Sequence, residues 1–95
     1  MAFRARGVVA NLLTSEQLRA ARAILRLEQR ALSEASKVSL ATIKRLEATR
    51  GELIANRPTI AALQNALESA GVVFIAENGG GPGVRLRDPV STTHT

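Results

Sequence analysis

Residues 29–47 read QRALSEASKVSLATIKRLE, and this stretch decides the fold because it fits two short helices joined by a tight turn. Apolar side chains recur at helical spacing in each half, at Leu32 and Ala35 and then at Ile43 and Leu46. Val38 lies between the two pairs, where a buried turn residue would hold the helices at a steep angle. A connection this short, followed by a serine suited to the N-cap position, predicts a helix-turn-helix unit.

The composition of the chain limits it to one small, mainly helical domain. Its 95 residues include two phenylalanines and no tyrosine or tryptophan, so Ala, Leu, Ile and Val must form the core. The lack of cysteine excludes disulfides and Cys-ligated zinc. No apolar run reaches the length of a membrane span, and residues 1–4 lack the apolar core of a signal peptide. We therefore expect a cytoplasmic protein with no membrane partner.

The positive charge of the chain is concentrated in its N-terminal half. The net charge is +5, with ten Lys and Arg against four Glu in residues 1–50 and three Arg against four acidic residues in residues 51–95. A surface that faces DNA phosphates must be basic, and the predicted helix pair lies in the basic half. A basic face that is only solvated would carry the same charge. Because the positive charge lies in the same half as the helix pair, a nucleic-acid-binding surface is the favoured interpretation.

A first helix is predicted before the helix pair. Thr14 fits the N-cap of a capping box with Gln17 three residues later. The apolar face of this helix consists of Leu18, Ala21, Ile24 and Leu25. Residues 1–13 lack a clear period and are predicted to form an arm that carries Arg4 and Arg6. Residues 14–71 are predicted to form the DNA-binding domain.

Arg22 falls within the apolar face of the first helix, so its charge needs a partner. Glu47 is the best candidate, because it follows Ile43 by four residues on the buried side of its own helix. An Arg22–Glu47 ion pair would tie the first helix to the end of the third. The alternative is an Arg22 side chain that extends along the surface to solvent.

The C-terminal part changes from helical to strand periodicity. Residues 52–57 read as a loop, and a fourth helix is expected from Pro58 to a stop at Gly71. Residues 72–87 are predicted to form a β-hairpin, because two β-branched or alternating runs flank a glycine-rich turn. Residues 88–95 are expected to be a disordered polar tail.

The hairpin is also the predicted dimerisation element. Both faces of its first strand are apolar, and an isolated two-stranded sheet is only marginally stable. Its free edge can pair with another strand, so we expect a symmetric dimer in which two hairpins meet. A monomer whose hairpin folds back on the fourth helix is the alternative. The residues assigned to the dimer contact are Val73, Phe74, Ile75, Val84 and Leu86.

Residues from about Thr14 to Ala70 resemble the lambda repressor/Cro-like helix-turn-helix domain, also called the XRE family. The matching residues are Arg22, Gln29, Leu32, Val38, Ser39, Thr42, Ile43, Leu46 and Glu47, followed by the helix led by Pro58. The resemblance implies a four-to-five-helix, mainly α DNA-binding domain, here followed by the β-hairpin. It also implies the Arg22–Glu47 pair that the burial argument suggests.

The resemblance implies roles for the residues of the helix pair. Gln29 would contact a DNA phosphate, and the base-reading positions fall on Leu40, Ala41, Thr42, Lys44 and Arg45. The predicted DNA-binding set is completed by Ser39, Arg50 and Arg57.

Three features depart from the family pattern. Lys37 occupies the turn position where glycine is usual, and Glu28 stands where a Ser or Thr cap is usual. Leu40 and Ala41 replace polar residues at the start of the reading helix. Base recognition is therefore expected to depend on apolar contacts with thymine methyl groups and on Lys44 and Arg45 later in the same helix.

No pattern predicts an enzyme, a cofactor or a metal site. Residues 79–83 are glycine-rich but lack the Lys-Ser/Thr of a phosphate-binding loop, and the only histidine is His94 in the tail. The leading hypothesis is a transcriptional regulator, a repressor, that binds a palindromic double-stranded DNA operator as a homodimer. An antitoxin-like protein that binds a toxin partner and represses its own operon is the alternative. A helical protein-interaction adaptor that never contacts DNA is the third hypothesis.

Overall fold

A computed structural model describes residues 13–90 as four helices followed by a two-stranded antiparallel sheet. The elements in chain order are α1 (Ser15–Leu25), α2 (Gln29–Ser36), α3 (Leu40–Glu47), α4 (Arg57–Ala70), β1 (Val72–Ile75) and β2 (Gly83–Leu86). The mainly helical class and the C-terminal hairpin are confirmed. Between residues 13 and 90, no helix is long and apolar enough to cross a membrane. Residues 1–12, with the predicted arm, and residues 91–95 of the predicted tail lie outside the described range.

Side-chain caps fix where three of the helices begin. Thr14 and Gln17 form the predicted capping box at α1, and the hydroxyl of Ser39 accepts a hydrogen bond from the backbone N–H of Thr42 at α3. The side chain of Asn56 caps α4, so Arg57 is the first residue of that helix. The prediction that Arg57 lies in the preceding loop was wrong. α2 begins after Glu28 without a side-chain cap, as expected for a glutamate in place of the usual Ser or Thr.

The core is built from aliphatic side chains contributed by all four helices, β1, the residue before the Thr14 cap and the α3–α4 loop. Its buried members are Leu13, Leu18, Ala21, Leu32, Ile43, Leu46, Leu53, Ile60, Leu63, Leu67 and Val72. Leu13 belongs to this core, so the assignment of residue 13 to a separate arm was wrong. Its carbonyl accepts a hydrogen bond from Leu53 N–H at 3.0 Å, which fixes the entry of the chain against the α3–α4 loop.

Two helix faces differ from the predicted ones. In α2 the residue that shares the buried face with Leu32 is Ser36, whereas Ala35 is exposed. The predicted pair was three residues apart, and the observed pair is four apart, which places both members on one face equally well. In α1 the side chain of Ile24 is 38% exposed, so the buried face is centred on Leu18 and Ala21.

The hairpin folds back on the helices of its own chain. Val72 pairs with Leu86 and Phe74 with Val84, which places these four residues on one face of the sheet. Val72 is buried, and Phe74 and Val84 pack against the core. Phe74 and Val84 therefore have an intramolecular role that the dimer assignment did not foresee. The opposite face carries Val73 and Ile75.

Gln17 joins the start of α1 to the loop end of the hairpin. Its side-chain oxygen accepts a hydrogen bond from the backbone N–H of Thr14 at 3.0 Å. Its amide nitrogen donates to the carbonyls of Ile75 and Gly83, at 3.3 and 2.9 Å. Because Gln17 is a buried polar residue, these partners replace the water that its amide group would otherwise bind.

We expect Gln17→Ala to lower the free energy of unfolding by about 1–3 kcal/mol, because it leaves buried polar groups without partners. Urea denaturation of the variant and the wild type measures the loss. Gln64→Ala is the matched control, since within residues 13–90 the half-buried side chain of Gln64 bonds only to Glu68, one turn away on α4, and its loss should cost less than about 0.5 kcal/mol. Equal losses in the two variants would contradict the role assigned to Gln17.

Candidate nucleic-acid interface

The turn between α2 and α3 is short and held by several hydrogen bonds. Lys37 ends α2 in the left-handed conformation, with φ 66°. The hydroxyl of Ser33 donates to the carbonyl of Val38 at 2.6 Å, and the backbone N–H of Val38 donates to the hydroxyl of Ser36 at 3.1 Å. Val38 packs against the core as predicted, and this contact fixes the position of α3 relative to α2.

One face of α3 is buried, and the other is exposed and basic. Ile43, Leu46 and Glu47 are buried, whereas Ala41, Lys44 and Arg45 are exposed. Leu40 and Thr42 are half-buried at the edge between the two faces. The predicted base-reading residues therefore lie along the accessible side of the helix, with its two cations adjacent in sequence.

The loop after α3 contributes an apolar side chain that the sequence reasoning missed. Ile54 is 80% exposed, while its neighbour Leu53 is buried in the core. The guanidinium of Arg45 donates to the carbonyl of Ile54 at 3.4 Å, so the loop lies beside the exposed face of α3. A single apolar residue in a polar loop gives no periodic signal, and its position depends on how Leu53 is anchored.

The predicted phosphate-contacting residues lie at the ends of helices. Gln29 is the first residue of α2, and its amide nitrogen donates to Oε1 of Glu47 at 3.0 Å. Arg50 follows α3, Arg57 begins α4, and both side chains are exposed. The hydroxyl of Ser39 is engaged with the backbone and side chain of Thr42, so its present contacts serve the cap of α3.

The structure brings Arg22 and Glu47 together as the sequence predicted. Nε of Arg22 donates to Oε2 of Glu47 at 2.6 Å and Nη2 donates to Oε1 at 2.7 Å, a bidentate geometry. The carboxylate side chain is 5% exposed and the arginine side chain 22%. Hydrogen bonding to Glu47 raises the pKa of Arg22, although burial opposes the shift. Nη1 of Arg22 also donates to the carbonyl of Leu27, so the alternative of a solvent-directed guanidinium does not apply.

A second arginine, Arg19, secures the end of α3. Its Nη1 donates to the carbonyls of Glu47 and Thr49 at 2.7 and 3.1 Å and to the hydroxyl of Ser15 at 2.7 Å. The carbonyls at a helix C-terminus have no partners within the helix, and a cation satisfies them well. The sequence reasoning missed this role, because Arg19 lies three residues before Arg22 and reads as a surface charge.

The start of α1 also contacts the loop between α3 and α4. Ser15 N–H donates to the carbonyl of Gly51, and Gly51 N–H donates to the carboxylate of Glu16 at 3.1 Å. Hydrogen bonds from the backbone N–H groups of Glu16 itself and of Gly51 lower the pKa of Glu16. The N-terminus of α1 therefore fixes the loop that carries Arg50.

Within residues 13–90, no cluster of three or more His, Cys, Asp or Glu could hold a metal ion. No model of a known protein family matches the chain, and no curated protein matches it significantly.

We expect Glu47→Ala to lower the free energy of unfolding by about 3–5 kcal/mol, because it removes the charged partner of a largely buried guanidinium. Urea denaturation at neutral pH measures the loss. Glu34→Ala is the matched control on the exposed face of α2, and its effect should stay within about 0.5 kcal/mol. An unfolding curve for Glu47→Ala that overlies the wild-type curve would show that the ion pair contributes little.

Proposed function

We propose that this chain is a sequence-specific, double-stranded DNA-binding regulator of the lambda repressor/Cro-like class. The observation that carries the proposal is the α2–α3 pair, in which α3 buries Ile43 and Leu46 and exposes Lys44 and Arg45. A helix held this way by its neighbour can enter the major groove with its basic face toward the bases. Regulation, and repression in particular, follows from the resemblance and is part of the proposal.

The distribution of exposed cations supports binding to a polyanion. Lys44 and Arg45 lie on α3, Arg50 lies in the following loop, and Arg57 lies at the start of α4. All four side chains are exposed, so they can exchange solvent ions for phosphates without the cost of uncovering a buried charge. The C-terminal half, by contrast, carries a net charge of −1 over residues 51–95.

We assign the contacts to two classes. Lys44 and Arg45 would read base edges, and Leu40 and Ala41 would contact thymine methyl groups. Gln29, Arg50 and Arg57 would contact phosphates, which fix the position of the protein on the duplex without reading sequence. Gln29 suits this role because one N–H of its amide is held by Glu47 and the other stays available for a phosphate oxygen.

We expect Arg45→Ala to weaken binding to the preferred duplex by about 1–3 kcal/mol and to relax the preference at one base position. Selection of bound sequences from random duplex DNA, with each purified protein, measures both effects. Arg26→Ala is the matched control, because Arg26 is exposed at the end of α1 and its loss should leave the selected sequence unchanged. An unchanged sequence profile for Arg45→Ala contradicts its base-reading role.

We further propose a two-fold dimer that uses the outer face of the hairpin. Val73 and Ile75 lie on the face opposite the core contacts, whereas Leu86, predicted to join the dimer contact, pairs with Val72 and lies on the core-facing side. Covering these apolar side chains would remove apolar surface from water, and pairing one sheet edge would give partners to the unpaired N–H and C=O groups of that strand. Such a dimer would place two α3 helices about 34 Å apart and require a palindromic operator.

We expect Ile75→Lys to shift the protein toward the monomer, because it places a charge in the proposed apolar contact. The variant keeps the core, since the Ile75 side chain lies on the outer face. Light scattering at the concentration used for DNA binding measures the mass, and circular dichroism checks the fold. A wild-type protein that is monomeric at that concentration contradicts the dimer, and so does a lysine variant that remains dimeric.

A further inference from the structure

Two residues other than glycine have positive φ between residues 13 and 90, and both are basic. Arg26 ends α1 with φ 56°, and Lys37 ends α2 with φ 66°. This conformation costs free energy for any residue with a Cβ atom, and glycine avoids the cost. Both side chains gain some benefit from lying at a helix C-terminus, where a cation is favoured. That benefit applies equally to the two sites and does not distinguish them.

The conformation of Lys37 is imposed by its surroundings. The backbone N–H of Lys37 donates to the carbonyl of Ser33 at 2.9 Å. On the other side, Val38 accepts a hydrogen bond from the hydroxyl of Ser33 and donates one to the hydroxyl of Ser36. Ser36 itself is buried. Because the turn is held on both sides of Lys37, the direction in which its side chain leaves the backbone is fixed as well.

The side chain of Lys37 is accessible to a binding partner. It is exposed, and among the described residues it makes no salt bridge or side-chain hydrogen bond. Lys37 lies two residues before Ser39, the N-cap of α3. A recognition helix presents its N-terminal residues to the bases, so the turn just before it lies at the edge of the groove, where the phosphates are.

We propose that Lys37, a cation at a position where glycine would be more stable, contacts a DNA phosphate. The inference rests on the proposed DNA-binding function and adds a phosphate-contacting residue to it. It has a distinctive consequence, because strain and charge are removed together when Lys37 is replaced by glycine. The variant should be more stable and bind DNA less tightly.

The test measures folding and binding for Lys37→Gly in the full chain. Its melting temperature should rise, because glycine adopts positive φ without strain. Its affinity for a duplex selected from random DNA should fall about fivefold to tenfold at 0.1 M KCl, and the slope of log affinity against log salt should become shallower by about 0.9. The loss should be equal on a scrambled duplex, because a phosphate contact carries no sequence information.

Two variants serve as controls. Lys37→Arg keeps the charge and should keep the wild-type salt slope. Arg26→Gly makes the same backbone change at the end of α1 and should raise the melting temperature without changing the slope. An equal loss of slope in Arg26→Gly overturns the assignment, because removal of any surface cation would then account for the effect.

The outcomes separate the inference from the function on which it rests. A wild-type protein that selects no duplex refutes the proposed function and the inference together. A wild-type protein that binds its selected duplex, with Lys37→Gly matching it in affinity and salt slope, overturns the inference and leaves the proposed function standing. Weaker binding with a shallower slope in a more stable variant supports the inference.

Discussion

The bidentate ion pair between Arg22 and Glu47 is the interaction on which the helix pair depends. The carboxylate of Glu47 receives hydrogen bonds from Arg22 and from Gln29, so it joins α1, α2 and α3 at one point. A carboxylate buried to this extent is stable only with such partners. Removing it would release the start of α2 and the end of α3 together, and with them the surface proposed to meet DNA.

Local chemistry in the sequence was sufficient to predict the helix pair and its caps. Thr14, Ser39 and Gly71 act through residues within a few positions of themselves, so their roles can be recognised from spacing alone. The Arg22–Glu47 pair was also predictable, because a charge within an apolar face requires a partner. The exposed positions of Lys44 and Arg45 followed from the same periodicity.

The features that the sequence did not predict depend on contacts between distant segments. Arg19 finds carbonyls about 30 residues away, and the exposure of Ile54 follows from the anchoring of Leu53 in the core. The prediction that Ala35, and not Ser36, lies on the buried face of α2 was wrong for a different reason. Both side chains are small, so the apolar pattern could not decide which one faces inward.

The hydrogen bonds of Gln17 also bear on the order in which the chain can fold. The helix pair forms contacts between residues close in sequence, whereas Gln17 and Gly83 are separated by 66 positions. Closing a loop of that length costs chain entropy, so the docking of the hairpin is expected to follow formation of α2 and α3. During synthesis the amide nitrogen of Gln17 gains Ile75 as an acceptor when β1 has left the ribosome, and Gly83 only when β2 has followed. The last hydrogen bond at the start of α1 thus forms only when the C-terminal strand is present.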